Sequence, residues 1–140
     1  MKFLRAFLPA LSAVLLLTAC NDKSETQNEA VYLGKGEEWL ATYSLFKVNH
    51  SWFDSLYIQN IGEDRGSKIG PIEYRLIGGE GFEMASQYPL ELQGVRSLHV
   101  SSEMNADFFT IHPNDEGVFE LSITKTDGQT ETLALSAITP

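Results

Sequence analysis

The feature that most restricts the fold is a two-residue period. "PIEYRLI" (71–77) sets Ile72, Tyr74 and Leu76 against Glu73 and Arg75, and "GVFELSI" (117–123) sets Phe119, Leu121 and Ile123 against Glu120 and Ser122. Successive side chains of an extended chain point to opposite faces, so each segment reads as a strand with one buried and one wet face. No run of eleven or more residues carries the i, i+3, i+4, i+7 apolar spacing of an amphipathic helix. The chain is expected to be all-β.

Further strands are expected at 37–48, 51–61, 82–87, 95–100 and 107–112. In the first of these Trp39, Ala41, Tyr43 and Leu45 share a face, while Phe46 and Val48 fall on the other, which predicts a bulge or a switch between sheets near Leu45. The clusters "GKGE", "GEDRGSKIGP", "GGEG" and "HPNDEG" supply turns between strands. Short strands so punctuated predict an antiparallel, immunoglobulin-like β-sandwich of about 7–8 strands.

The last hairpin can be read to its register. Asp127-Gly128 in "FELSITKTDGQTETLALS" ordinarily signals a two-residue turn, but that register would leave Leu133 and Leu135 on the face opposite Phe119, Leu121 and Ile123. A three-residue loop, Thr126-Asp127-Gly128, instead pairs 121 with 133 and 119 with 135, with Gly128 as the left-handed residue of a bulge.

The first thirty residues follow different rules. Lys2 and Arg5 precede an uncharged apolar run over residues 6–19, and small Ala19 precedes Cys20, the only cysteine. This is the layout of an export signal, and the run is shorter than the roughly 20 residues a transmembrane helix needs. Leu17-Thr18-Ala19-Cys20 resembles a bacterial lipobox. The resemblance implies signal-peptidase recognition through Leu17, Thr18 and Ala19, a diacylglyceryl group on the Cys20 sulfur, and cleavage before it. Two acyl chains suffice for stable anchoring where one does not. Residues 21–30, "NDKSETQNEA", lack aromatic and β-branched apolar side chains and read as a disordered tether. The expected organisation is a signal peptide at 1–19, a lipidated cysteine and tether at 20–30, and one domain at 31–140. That domain has no cysteine left and must fold without disulfides.

Charge narrows the partners. The chain holds ten Lys and Arg against nineteen Asp and Glu, and loss of Lys2 and Arg5 with the signal would leave eight bases, a net charge of −11. Such a surface repels phosphate backbones and anionic lipid head groups, so no nucleic acid partner is expected and attachment to the membrane rests on the lipid.

Catalytic motifs are absent: there is no G-x-S-x-G, H-E-x-x-H or nucleotide-binding loop. The weak metal candidates are His99, Glu103, Asp107 and His112, whose spacing matches no standard ligand pattern. If Leu98 and Val100 face the core, His99 faces solvent. Glu37-Glu38, Glu63-Asp64 and Asp115-Glu116 are neighbours on the chain, so in a strand they diverge and do not converge on one substrate atom. "PNDEG" reads as a turn. Among the aromatics, Trp52 and Phe53 fall on opposite faces with Tyr57 on the side of Phe53. Trp39, Phe53 and Tyr57 are expected in the core and Trp52 at one end of the sandwich, where it is the candidate for an exposed, partner-binding ring.

Two segments carry a second resemblance. "GKGEEWLATYSL" (34–45) has a G-x-G-E-x-W opening and "DGQTETLAL" (127–135) a closing hairpin, and together they resemble small extracellular lipoproteins of Bacillus-like bacteria. The resemblance implies that Trp39 and the Asp127-Gly128 turn are fold markers. The expected function is that of a membrane-anchored extracytoplasmic lipoprotein, a non-catalytic binding or accessory module with a protein or cell-wall partner and no cofactor. The alternative is a small metal- or carboxylate-dependent enzyme with a site around residues 99–116.

Overall fold

The computed structural model describes residues 29–64, 66, 68–104 and 111–138. They form eight strands: β1 (Ala30–Lys35), β2 (Trp39–Val48), β3 (Ser51–Asn60), β4 (Ile72–Ile77), β5 (Glu83–Ala85), β6 (Ser97–Met104), β7 (Val118–Lys125) and β8 (Thr130–Ala137). There is no helix among the described residues. All neighbours are antiparallel, and the strands make one continuous sheet in the order β5-β4-β7-β8-β1-β2-β3-β6. The expected all-β class is what forms.

The sheet curls on itself. Adjacent strands lie about 4.8 Å apart, so β7 and β2, three places apart in the order, would be separated by roughly 14 Å in a flat sheet. Yet the rings of Phe119 on β7 and Tyr43 on β2 meet edge to face with centroids 5.1 Å apart. Phe119 also meets Tyr32 of β1 at 4.7 Å and Phe82, beside β5, at 5.8 Å. Rolling the sheet toward its apolar side lets Phe119 collect these contacts, in the geometry that ring quadrupoles favour. Around it Trp39, Leu56, Ile58, Ile72, Leu76, Leu121, Ile123 and Leu135 are buried.

The alternation predicts these faces well where it is clean. In β4 and β7 the inward residues are those expected, and β7 pairs β8 with Leu121 opposite Leu133 and Phe119 opposite Leu135. The loop closes with Lys125 N donating to Gln129 O, and Gly128 sits at φ 85°. The three-residue turn is therefore correct, because the other register would have put two leucines in water.

Other expectations need correction. β2 and β3 pair without interruption from Trp39 opposite Asn60 to Val48 opposite Ser51, so no bulge occurs at Leu45. Phe46 is accommodated on the outer face by stacking on Phe53, its cross-strand neighbour. Phe53 and Tyr57 are half-buried on that outer face rather than in the core, because Leu56 and Ile58, in the opposite phase, take the buried side. β1 adds a strand that the sequence pattern does not predict: it is short, and its buried positions are only Tyr32 and Gly34. The 82–87 strand contracts to β5, and the 95–100 strand starts at Ser97 and runs on to Met104. Of the strand expected at 107–112, residues 107–110 lie outside the described residues, and Ile111 and His112 are irregular.

Candidate functional site

The outer face of β2, β3 and β6 gathers stacked rings beside oriented polar groups. Its geometry follows from β3, where Asp54, Leu56, Ile58 and Asn60 are buried and Phe53, Ser55, Tyr57 and Gln59 consequently point outward. Opposite Phe53 lie Phe46 on one side and Glu103 on the other; opposite Tyr57 lie Thr42 and His99. Phe46 and Phe53 stack with centroids 5.7 Å apart and planes 14° from parallel. His99 Nε2 is 2.8 Å from Ser55 Oγ, and the Tyr57 hydroxyl donates to Gln59 Oε1 at 2.9 Å. The result is a half-exposed aromatic strip bordered by oriented polar groups, the composition from which binding surfaces draw their anchors.

Directly behind this face lies a buried carboxylate. Asp54, 3% exposed, accepts from the Tyr43 hydroxyl at 3.1 Å through Oδ2 and from Ser102 N and Oγ, at 3.1 and 2.6 Å, through Oδ1. Burial, and then the Asp54 charge, push the Tyr43 hydroxyl far above its ordinary range, and the same two causes in the same order raise Tyr74. Tyr43 is therefore a permanent donor. With its oxygens committed to protein donors, Asp54 ties β2, β3 and β6 together. Its signal in the sequence is an acid in phase with Leu56 and Ile58, which requires a partner inside.

Trp52 stands on the core-facing side of β3, half-buried at the strand's end, with Lys47 Nζ 5.9 Å from its ring centroid. It lies where β2 turns into β3, and the lysine over its ring supplies a cation–π contact.

At the opposite end the segments 34–45 and 127–135 touch each other. Glu131 of β8 accepts from Glu37 N at 2.6 Å and Glu38 N at 3.1 Å, while Lys125 Nζ binds Glu38 Oε2 at 2.8 Å. The hydrogen bond to Glu38 is the main cause that raises Lys125 above the ordinary lysine value. A Cβ at Gly36 would run into the Glu131 carboxylate, so the glycine of the G-x-G-E-x-W opening makes room for the clamp. A cleft of about 220 Å³, lined by Glu37, Glu38, Trp39, Lys125, Gln129, Thr130 and Glu131, opens beside it. Lys125 is bound to Glu38 and the Glu131 carboxylate to two backbone N–H groups, which explains these residues as architecture.

The metal candidates are placed apart in their contacts. His99 is exposed on the edge strand against Ser55, as expected for a solvent-facing residue, and Glu103 is exposed on the same strand. His112 instead sits before β7, with Nδ1 2.9 Å from Pro113 O and Nε2 3.3 Å from Glu80 Oε2. Those partners, Pro113 first, raise the His112 pKa above its ordinary value. No group of three or more potential ligands forms among the described residues. Leu17, Thr18, Ala19, Cys20 and Asp107 lie outside the described residues. Asp115-Glu116 lies in a turn closed by Asn114, whose Oδ1 accepts from Glu116 N and Val118 N. Comparisons with protein-family models, curated proteins and solved structures find no match for this chain.

Proposed function

We propose that this chain is a lipid-anchored extracytoplasmic module, held to the cell membrane through Cys20, that binds a cationic protein or peptide without catalysing a reaction on it. The observation that carries the reading is the excess of nineteen acidic over ten basic residues. Opposite charge steers association and selects the partner, while a few buried rings supply most of the binding energy. The strip of Phe46, Phe53 and Tyr57 is the anchoring surface in this reading, with Ser55, Gln59, His99 and Glu103 giving orientation. An anionic wall polymer fits poorly, since like charges oppose capture. The enzyme alternative gains no support from the separate partners of His99 and His112. Within the same proposal, the curled sheet is an immunoglobulin-like sandwich in which the β5-β4-β7-β8 half faces the β1-β2-β3-β6 half, a reading supported by the Phe119–Tyr43 contact.

The test has two parts. The full-length chain in cells should fractionate with membranes and carry an acyl mass increment, whereas Cys20→Ala should do neither; a soluble wild type with a free thiol refutes the anchor. Cross-linking of partners in the same preparation should fall when the salt present before the cross-linker is added is raised from low to about 0.15 M, where screening acts beyond roughly 8 Å. Binding indifferent to salt refutes the electrostatic part.

A further inference from the structure

The two edges of the sheet are unequal. β5 has three residues, and its neighbour Arg75 is clamped by Glu83 through two hydrogen bonds of 2.8 and 3.0 Å. β6 has eight residues, pairs only with β3 among the described residues, and contains no proline, glycine or lysine. Natural sheets guard long edges with such residues because an unguarded edge is a template for another strand.

Which backbone groups are free follows from the ladder. Asn60 N donates to Arg96 O, and β3 and β6 run in unbroken register from there, Ile58 opposite Leu98 and Asp54 opposite Ser102. In an antiparallel ladder the hydrogen-bonded pairs recur every second residue, so the even-numbered residues of β6 turn their N–H and C=O toward β3 and the odd-numbered ones turn theirs outward. Ser97 confirms the phase, since its outward N–H and C=O are both bonded to Gln93. His99, Ser101 and Glu103 remain, with no backbone partner among the described residues.

We propose that β6 pairs antiparallel with β6 of a second copy, on a two-fold axis at Ser101. This is the register in which Ser101 meets Ser101 and His99 meets Glu103, so every free N–H and C=O on both edges is satisfied. Side chains agree with it. On the outer face His99 of each copy stands directly opposite Glu103 of the other, and Ser55, which engages His99 Nε2, leaves Nδ1 to face that carboxylate. On the core-facing side Leu98 meets Met104 of the second copy, and Val100 meets Ser102. A two-fold interface must be complementary to itself, and this strand places its acid and its imidazole at equal distances from its centre. The second copy is thereby preferred over an unrelated basic strand, which would find only one acid on β6.

Cross-linking of the full-length chain in intact cells tests the pairing. Directly opposed residues of this type have Cα atoms about 5.5 Å apart, within disulfide range. Under mild oxidation Ser101→Cys should therefore form a disulfide-linked dimer at least about tenfold faster than Thr132→Cys on the outer face of β8, because docking holds the sulfurs at high effective concentration. The unsubstituted chain, bearing only Cys20, gives the background. His99→Cys and Glu103→Cys chains should cross-link when co-expressed and not when expressed singly. Adding Ser101→Pro to both should abolish that product, while circular dichroism stays unchanged, since the lost N–H points away from β3. The inference is overturned if Ser101→Cys links no faster than Thr132→Cys, if the proline leaves cross-linking intact, or if a basic peptide protects the amides of 99–103 from exchange in a chain that remains monomeric.

Discussion

The hydroxyl of Tyr43 donates to Oδ2 of Asp54 at 3.1 Å in the buried interior of the sheet. Tyr43 comes from β2 and Asp54 from β3, while the other carboxylate oxygen holds the backbone and hydroxyl of Ser102 on β6. One acidic side chain thus links three successive strands, and it secures the edge strand from the core side. Removing Asp54 strands a buried hydroxyl and two donors on β6, and leaving such groups unpaired costs more than the bonds contribute. Asp54→Ala should lower stability by about 3 kcal/mol and Tyr43→Phe by about 1–2 kcal/mol. Urea denaturation measures both, and a loss below 1 kcal/mol in Asp54→Ala would show that the network carries no weight.

The Glu131 clamp should be felt at the β1–β2 turn. Its two oxygens take two consecutive N–H groups, so Glu131→Ala orphans both and should cost about 1–3 kcal/mol. Glu131→Gln, which keeps one acceptor oxygen, should lose less. Hydrogen exchange at Glu37 and Glu38 reads the effect directly: their amides should speed up in Glu131→Ala while those of Leu121 and Leu133 slow-exchange as before.

Phe119 joins β7 to β1, to β2 and to the approach of β5 through three edge-on ring contacts. It is fully buried. Phe119→Ala opens a cavity where the curl closes and should cost about 3–5 kcal/mol, a large part of a small domain's stability. Phe119→Leu, with less volume lost, should retain the fold at a smaller cost. Equal midpoints for the two variants in thermal unfolding would contradict the central packing role.

His112 gives a signed dependence on pH. Acceptance by Pro113 O, then Glu80, raises its folded-state pKa above the unfolded value. The protonated ring is therefore favoured by folding, and the stability it adds is fully present below about pH 6.5 and fades as pH rises through the folded-state value. Proton NMR titration of the ring in folded and urea-unfolded chain should give the higher pKa in the folded state. Glu80→Gln should narrow the gap without closing it, since the Pro113 carbonyl remains.

How much of this was legible depends on whether polarity and burial agree. In β4 and β7 every buried residue is apolar and most outward ones polar, and the faces follow directly. In β3 they disagree: Asp54 and Asn60 are buried, while Phe53 and Tyr57 are half-exposed. No local pattern reveals that Asp54 finds Tyr43 and Ser102, or that Phe53 covers itself with Phe46, because those partners lie on other strands.

Sequence alone determined the all-β character, the turn at Asp127-Gly128 and the register of β7 on β8, since a period of two rejects the two-residue turn that would expose both leucines and Gly128 suits the three-residue loop that buries them. Tertiary structure decided the order of strands, the meeting of the Gly36 and Glu131 segments, the role of Asp54 and the open edge of β6. Each of these depends on pairings between residues distant in the chain, and strand periodicity specifies which face a residue takes but not which strand lies beside it.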